Sequence, residues 1–194
     1  DLEHDPLFAL QVWNGGQTDD FRAGINRWVQ GLLAGKRWKI IAGSDAHGNF
    51  NRHRQVGFPM LRLTEEGDHT FGRAWTSVKL EGELNTEAVI STLRHGSSLV
   101  SDGPCADLEI VSERIRVSAE STPEFGALKN IVVYQGIPGE GRERALLRED
   151  VSNVYAWERE IPQPGAEGYI RMEVVTEAGR LCLTNPRFLS DPAG

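Results

Sequence analysis

Two spacings of hydrophobic residues divide the chain near residue 104. Phe8 to Trp13 is a short apolar run closed by Asn14-Gly15-Gly16, which predicts a buried strand ending in a turn. Thr18, Asp19 and Asp20 supply a helix cap and early negative charge. Phe21, Ile25, Trp28, Val29, Leu32 and Leu33 then recur on one helical face, and Gly35 stops that helix. Trp38 to Ala42 is a second apolar run ending at Gly43. Strand, helix and strand in that order predict a βα-repeat with parallel strands.

Residues 48–58 read as a polar, basic loop, and further strands are expected at Met60–Leu63 and Trp75–Leu80. Asn85 or Thr86 caps a helix whose Ala88, Val89, Ile90 and Leu93 lie on or near a buried side, ended by Gly96. Ser97 to Ser101 is another short strand. After Pro104 the period changes to two. Leu108/Ile110, Ile115/Val117, Ile131/Val133, Val154/Ala156, Tyr169 to Val175 and Leu181/Leu183 alternate between turns. That pattern predicts antiparallel strands in a small β-sandwich. The expected organisation is an α/β part over 1–104 and an all-β part over 105–194.

Composition narrows the functional classes. The 194 residues carry a formal net charge of −7, which argues against nucleic acid as a partner, since phosphate-backbone binding needs clustered Lys and Arg. No apolar run reaches bilayer length, so no membrane segment is expected. Cys105 and Cys182 form neither a disulfide framework nor a Cys-x-x-Cys pair, although the two can still meet in space. Asp-Leu-Glu-His-Asp-Pro reads like the middle of a protein, so the lack of a signal peptide assigns no compartment; the cytoplasm is slightly favoured.

The densest chemistry is Gly43-Ser44-Asp45-Ala46-His47-Gly48. In extended backbone, residues i and i+2 project to the same side, so Asp45 and His47 would leave the carboxyl end of the 38–42 strand together. Ligands gather at that end in parallel α/β folds, and a carboxylate with an imidazole suits Zn, Mn or Fe. Two residues do not complete a site, and a turn aspartate with an ordinary histidine is the plainer reading. Arg52, His53 and Arg54 are either an anion clamp for substrate or a solvated basic loop. Asn14 is either a hydrogen-bonding group beside the site or a simple turn residue. Ser44 and Ser101 have no His–Asp arrangement to activate them, which excludes serine catalysis.

Ile41-Ala42-Gly43-Ser44-Asp45-Ala46-His47 resembles the closing motif of the PHP (polymerase and histidinol phosphatase) superfamily. Several features resemble its CehA/McbA-like branch in particular. They are Gln11-Val12-Trp13-Asn14-Gly15, Leu32-Leu33-Ala34-Gly35, the Asn85 to Gly96 segment, Ser101-Asp102-Gly103-Pro104 and Thr184-Asn185-Pro186, in the same order along nearly the whole chain. The resemblance implies the C-terminal portion of a distorted (β/α)7 barrel, followed here by the sandwich. It also implies divalent metal ions (Mn, Fe or Zn) with Asp45 and His47 as ligands, and hydrolysis of a small phosphoester or related ester by metal-activated water. The family's N-terminal His-x-His is absent and Gln11 stands where an acid is common, so this chain holds an incomplete ligand set. A missing N-terminal segment or an oligomer partner is expected to complete it. The competing expectation is a non-catalytic piece whose β-sandwich is a ligand- or partner-binding module.

Overall fold

The computed structural model describes residues 9–44, 72–80, 82–95, 98–165 and 167–189. The βαβ unit forms where the hydrophobic spacing places it. Strand β1 (Ala9–Asn14) leads into helix α1 (Asp19–Leu33) and then into β2 (Lys39–Gly43). Thr18 Oγ1 caps α1 by accepting the Phe21 N–H at 3.3 Å, and Asp19 and Asp20 offset the dipole in the first turn. Past the other end, Gly35 adopts φ +84°, a conformation that glycine reaches without steric cost. Strands β1 and β2 pair in parallel.

Helix α1 buries Phe21, Trp28, Leu32 and Leu33. Gly31 lets the Trp38 ring approach so closely that a Cβ there would fall 2.4 Å from it. The Trp28 indole N–H donates to the Trp38 carbonyl at 3.0 Å, which satisfies the polar edge of a fully buried ring.

The next elements are β3 (Trp75–Val78), α2 (Thr86–His95) and β4 (Ser98–Ser101). Asn85 Oδ1 accepts the Ala88 N–H at 2.8 Å and caps α2. This helix buries less than its sequence suggests: Ile90, expected on or near the buried side, is 43% exposed. The chain continues through β5 (Cys105–Val111), β6 (Arg114–Glu120), β7 (Leu128–Gly136), β8 (Arg144–Val154), β9 (Ala156–Pro162), β10 (Tyr169–Thr176), β11 (Leu181–Thr184) and β12 (Arg187–Phe188).

Among the described residues these strands build two antiparallel sheets. A seven-stranded sheet runs β3-β4-β11-β10-β7-β8, with β12 also on β10, and a three-stranded sheet runs β5-β6-β9. Between them lies a core that includes Leu108, Ile115, Val117, Ile131, Val133, Ile170, Met172 and Val174. The opposite face of the large sheet packs on the βαβ unit through Val100, Tyr169, Leu181 and Leu183 against Trp13, Phe21, Trp28 and Ile40. Strand β10 is therefore covered on both faces, and its residues Tyr169 to Met172 are all buried.

The expected portion of a (β/α)7 barrel is not formed. Among the described residues, half are in strands, the two larger sheets are antiparallel, and β1–β2 is the one parallel pair. The departure from a barrel comes at β3. In a barrel the strands continue the parallel ladder, whereas β3, the next strand among the described residues, pairs antiparallel with β4, and β4 pairs antiparallel with β11. The large sheet thus takes strands from both sides of residue 104. Strand β2 meets it through side chains. Thr76 Oγ1 accepts the Ala42 N–H at 2.8 Å and donates to the Ala42 carbonyl at 3.1 Å. The strand expected at Met60–Leu63 lies outside the described residues.

Candidate functional site

Parallel pairing brings the carboxyl ends of β1 and β2 side by side. Asn14 is in register with Gly43, and the Gly15 N–H donates to the Gly43 carbonyl at 3.0 Å. Gly15 takes φ +82°, so the chain turns away immediately after that bond. Gln11 Nε2 donates to Asn14 Oδ1 at 3.0 Å across the end of β1. A Cβ at Gly43 would come within 3.3 Å of the same Gln11 nitrogen, so the small residue there lets the two strand ends close up.

Ser44 is the last described residue of the Gly43 to Gly48 segment. Its Oγ accepts the Gly72 N–H at 2.8 Å and lies 3.5 Å from the Ala74 carbonyl, to which it donates. Those bonds make it a tether. Ser101 is engaged likewise: its Oγ donates to the Pro104 carbonyl at 2.5 Å and accepts the Gly103 N–H at 2.9 Å.

Of the residues singled out from the sequence, Asn14 stands exposed at the strand ends, bonded to Gln11. Asp45, His47, Arg52, His53 and Arg54 lie outside the described residues. Among the described residues, no group of three or more His, Cys, Asp and Glu stands close enough together to hold a metal ion.

Sequence reasoning passed over the group that holds β2 in place. Asn185 is fully buried, and its amide imitates a neighbouring strand. Its Oδ1 accepts the Ile40 N–H at 2.6 Å, while Nδ2 donates to the Ile40 carbonyl at 2.9 Å and to Ser98 Oγ at 2.8 Å. The only signal was its place in the Thr184-Asn185-Pro186 motif. Asp102 plays a comparable part at the β1–α1 loop. Its carboxylate accepts the Leu181 N–H at 2.6 Å and Gln17 Nε2 at 3.0 Å, and Arg180 stands 3.7 Å away.

Two further clusters are legible only in three dimensions. Arg171 is buried between the rings of Trp28 and Tyr134 and makes a two-point contact with Glu143, Nε to Oε1 at 2.8 Å and Nη2 to Oε2 at 2.5 Å. Burial opposes the guanidinium charge, but Glu143 together with Glu173 and Tyr134 outweighs it and holds the group above its ordinary pKa. Tyr169 donates to the same carboxylate at 2.8 Å, and burial together with Glu143 raises its phenol far above the usual range. The second cluster lines a pocket of about 330 Å3 where β3 and β4 meet β5 and β12, and includes Lys79, Cys105, Asp107 and Arg187. Hydrogen bonds from Lys79 to Asp107 and Glu109 raise the lysine pKa.

No protein family matches the chain, and no curated protein does. Two solved structures share part of its outline. A hypothetical protein from Pyrococcus horikoshii OT3 is 12% identical with a TM-score of 0.32, covering 42% of this chain and 82% of its own. A superoxide reductase in the oxidised state is 14% identical with a TM-score of 0.31, covering 44% and 88%. Overlaps this low carry no functional argument. Among the described residues no helix is long and apolar enough to cross a membrane.

Proposed function

We propose that the chain carries the closing ligand turn of a PHP-type metal-dependent hydrolase acting on a phosphoester or related small ester. The observation that supports this reading is the parallel alignment of β1 and β2. It sends the backbone into Asp45-Ala46-His47 from the carboxyl end of a parallel pair, where ligands collect in α/β proteins. The tether at Ser44 and the side-chain clamp from Thr76 hold that departure point firmly. This reading rests on the strand end that precedes the ligands in the chain and does not require the barrel.

Asp45 and His47 are of the right donor type for Mn, Fe or Zn, but a catalytic zinc normally has three protein ligands. The remaining ligands belong, on this reading, to polypeptide outside the described residues. When bound, such ions supply water activation for attack on an ester. The part assigned to the present residues is to hold the carboxylate and imidazole and, through Arg52, His53 and Arg54, to bind the substrate anion.

The test uses the longest natural polypeptide that contains this chain. Mn, Fe and Zn content is measured beside hydrolysis of p-nitrophenyl phosphate and p-nitrophenyl acetate, for the parent and for an Asp45→Ala/His47→Ala variant. The expected result is a loss of at least about tenfold in both bound metal and turnover. Undiminished metal and activity in the variant would sink the proposal.

A further inference from the structure

Arg187 is a half-buried cation on the wall of the 330 Å3 pocket. Among the described residues no hydrogen bond, ion pair or ring contact engages its guanidinium, in contrast to its neighbours. Lys79 is held by Asp107 at 2.6 Å and by Glu109, so its charge is already answered. The pocket floor is apolar, with Val78, Leu99 and Leu108. Cys105 opens onto the same space, while Cys182 is fully buried.

A guanidinium without a partner at a concave, partly apolar site is a two-point donor for a planar anion. The volume lies at the lower end of the range for small-molecule pockets and is too small for a macromolecule. Charge count then selects among anions. Lys79 and Arg187 stand against Asp107 and Glu109, so the cluster has no net positive charge to hold a dianion, and Arg187 is left to answer a single negative charge. We infer that this pocket binds a small organic monocarboxylate. Its carboxylate sits on Arg187 and its apolar body lies against Val78, Leu99 and Leu108.

This site stands apart from the strand-end site and does not depend on the hydrolase reading. It belongs to the space between the two antiparallel sheets, lined by β3 and β4 on one side and β5 on the other.

Cys105 is a built-in reporter. The full chain is treated with iodoacetamide, and the rate of Cys105 labelling is followed by mass spectrometry in the presence of hexanoate, benzoate, hexanamide or inorganic phosphate. A carboxylate at ten times its Kd should slow the labelling about tenfold. Hexanamide and phosphate should leave it unchanged, and Arg187→Met should abolish the carboxylate effect. Absence of protection by either carboxylate overturns the proposal. So does equal protection by phosphate, or protection that survives in Arg187→Met. Labelling of buried Cys182 reports whether a variant has unfolded. If Arg187→Met unfolds, Arg187→Lys decides: it keeps the charge without the planar fork, so carboxylate protection should weaken, and undiminished protection overturns the proposal.

Discussion

Asn185 shows how much one buried side chain can decide. It has donor and acceptor on the same planar group, so it pairs with both backbone groups of Ile40 as a strand would. Replacing it with alanine leaves the Ile40 N–H and carbonyl buried and unpaired. Each such group costs roughly 1–3 kcal/mol, so Asn185→Ala should lower stability by about 2–6 kcal/mol. Urea unfolding of the variant checks this, and a change below about 1 kcal/mol would show that water or backbone motion replaces the amide. Asparagine in a sequence usually signals a turn or a cap, and here it comes after a strand and before a proline. Nothing local distinguishes that setting from a turn, because the partner strand is 145 residues away.

At the scale of elements, the layers are pinned by an ion pair as well as by packing. Arg171 projects from β10 toward α1 and meets Glu143, which immediately precedes β8. The β10 strand thereby ties the β7–β8 connection to the helix side of the sheet. Removing one partner leaves the other charge buried, at a cost of roughly 3–5 kcal/mol. Arg171→Met and Glu143→Leu should each destabilise on that scale. The double variant Arg171→Met/Glu143→Leu should recover part of the loss, since it buries no unpaired charge. Chemical denaturation of all three tests the idea, and strict additivity of the two single effects would contradict it. The alternation Tyr169, Arg171, Glu173, Val175 marks one face of β10, but it does not say that the face is covered. An arginine in a strand ordinarily reads as a solvent-facing residue. Strand β8 was hidden for the opposite reason: most of its residues lie exposed or half-exposed, so no clear hydrophobic period marks it. The pair Val154/Ala156, read as part of one strand, instead spans the junction between β8 and β9.

For the whole molecule, the two layers on either side of the large sheet set how stability responds to alkali. Burial raises the Cys182 thiol well above its ordinary value, and Tyr169 is raised by burial and Glu143. A pKa that is higher in the folded state means that the unfolded chain releases its proton first. Stability is therefore complete below the ordinary thiol range and falls as pH rises through it, from about pH 8.5, with tyrosine adding to the fall above about pH 10. The limiting slope is roughly 1 kcal/mol per pH unit for each group. Cys182→Ala should flatten the first part of that slope. Urea midpoints measured between about pH 7 and pH 10 check it, and an unchanged slope in the variant would assign the alkaline loss to other groups.

The amino-acid sequence by itself determined the local elements whose signals are short in range. The 3.6-residue spacing of Phe21, Ile25, Trp28 and Leu32, with Thr18 ahead and Gly35 behind, marks α1 by local signals alone. Period-two alternation did the same for β6 and β7, and apolar runs closed by glycine did so for β1 and β2. Only the tertiary structure decided which strands pair and in which direction. A strand's two edges offer the same backbone groups to a parallel or an antiparallel neighbour, so a βαβ unit is equally compatible with a barrel or with docking onto an antiparallel sheet. Here the choice was made by Thr76 and Asn185, residues from far along the chain that bond to β2 through their side chains. The pocket at Arg187 arises in the same way, since β3, β4, β5 and β12 reach it from four separate stretches of sequence.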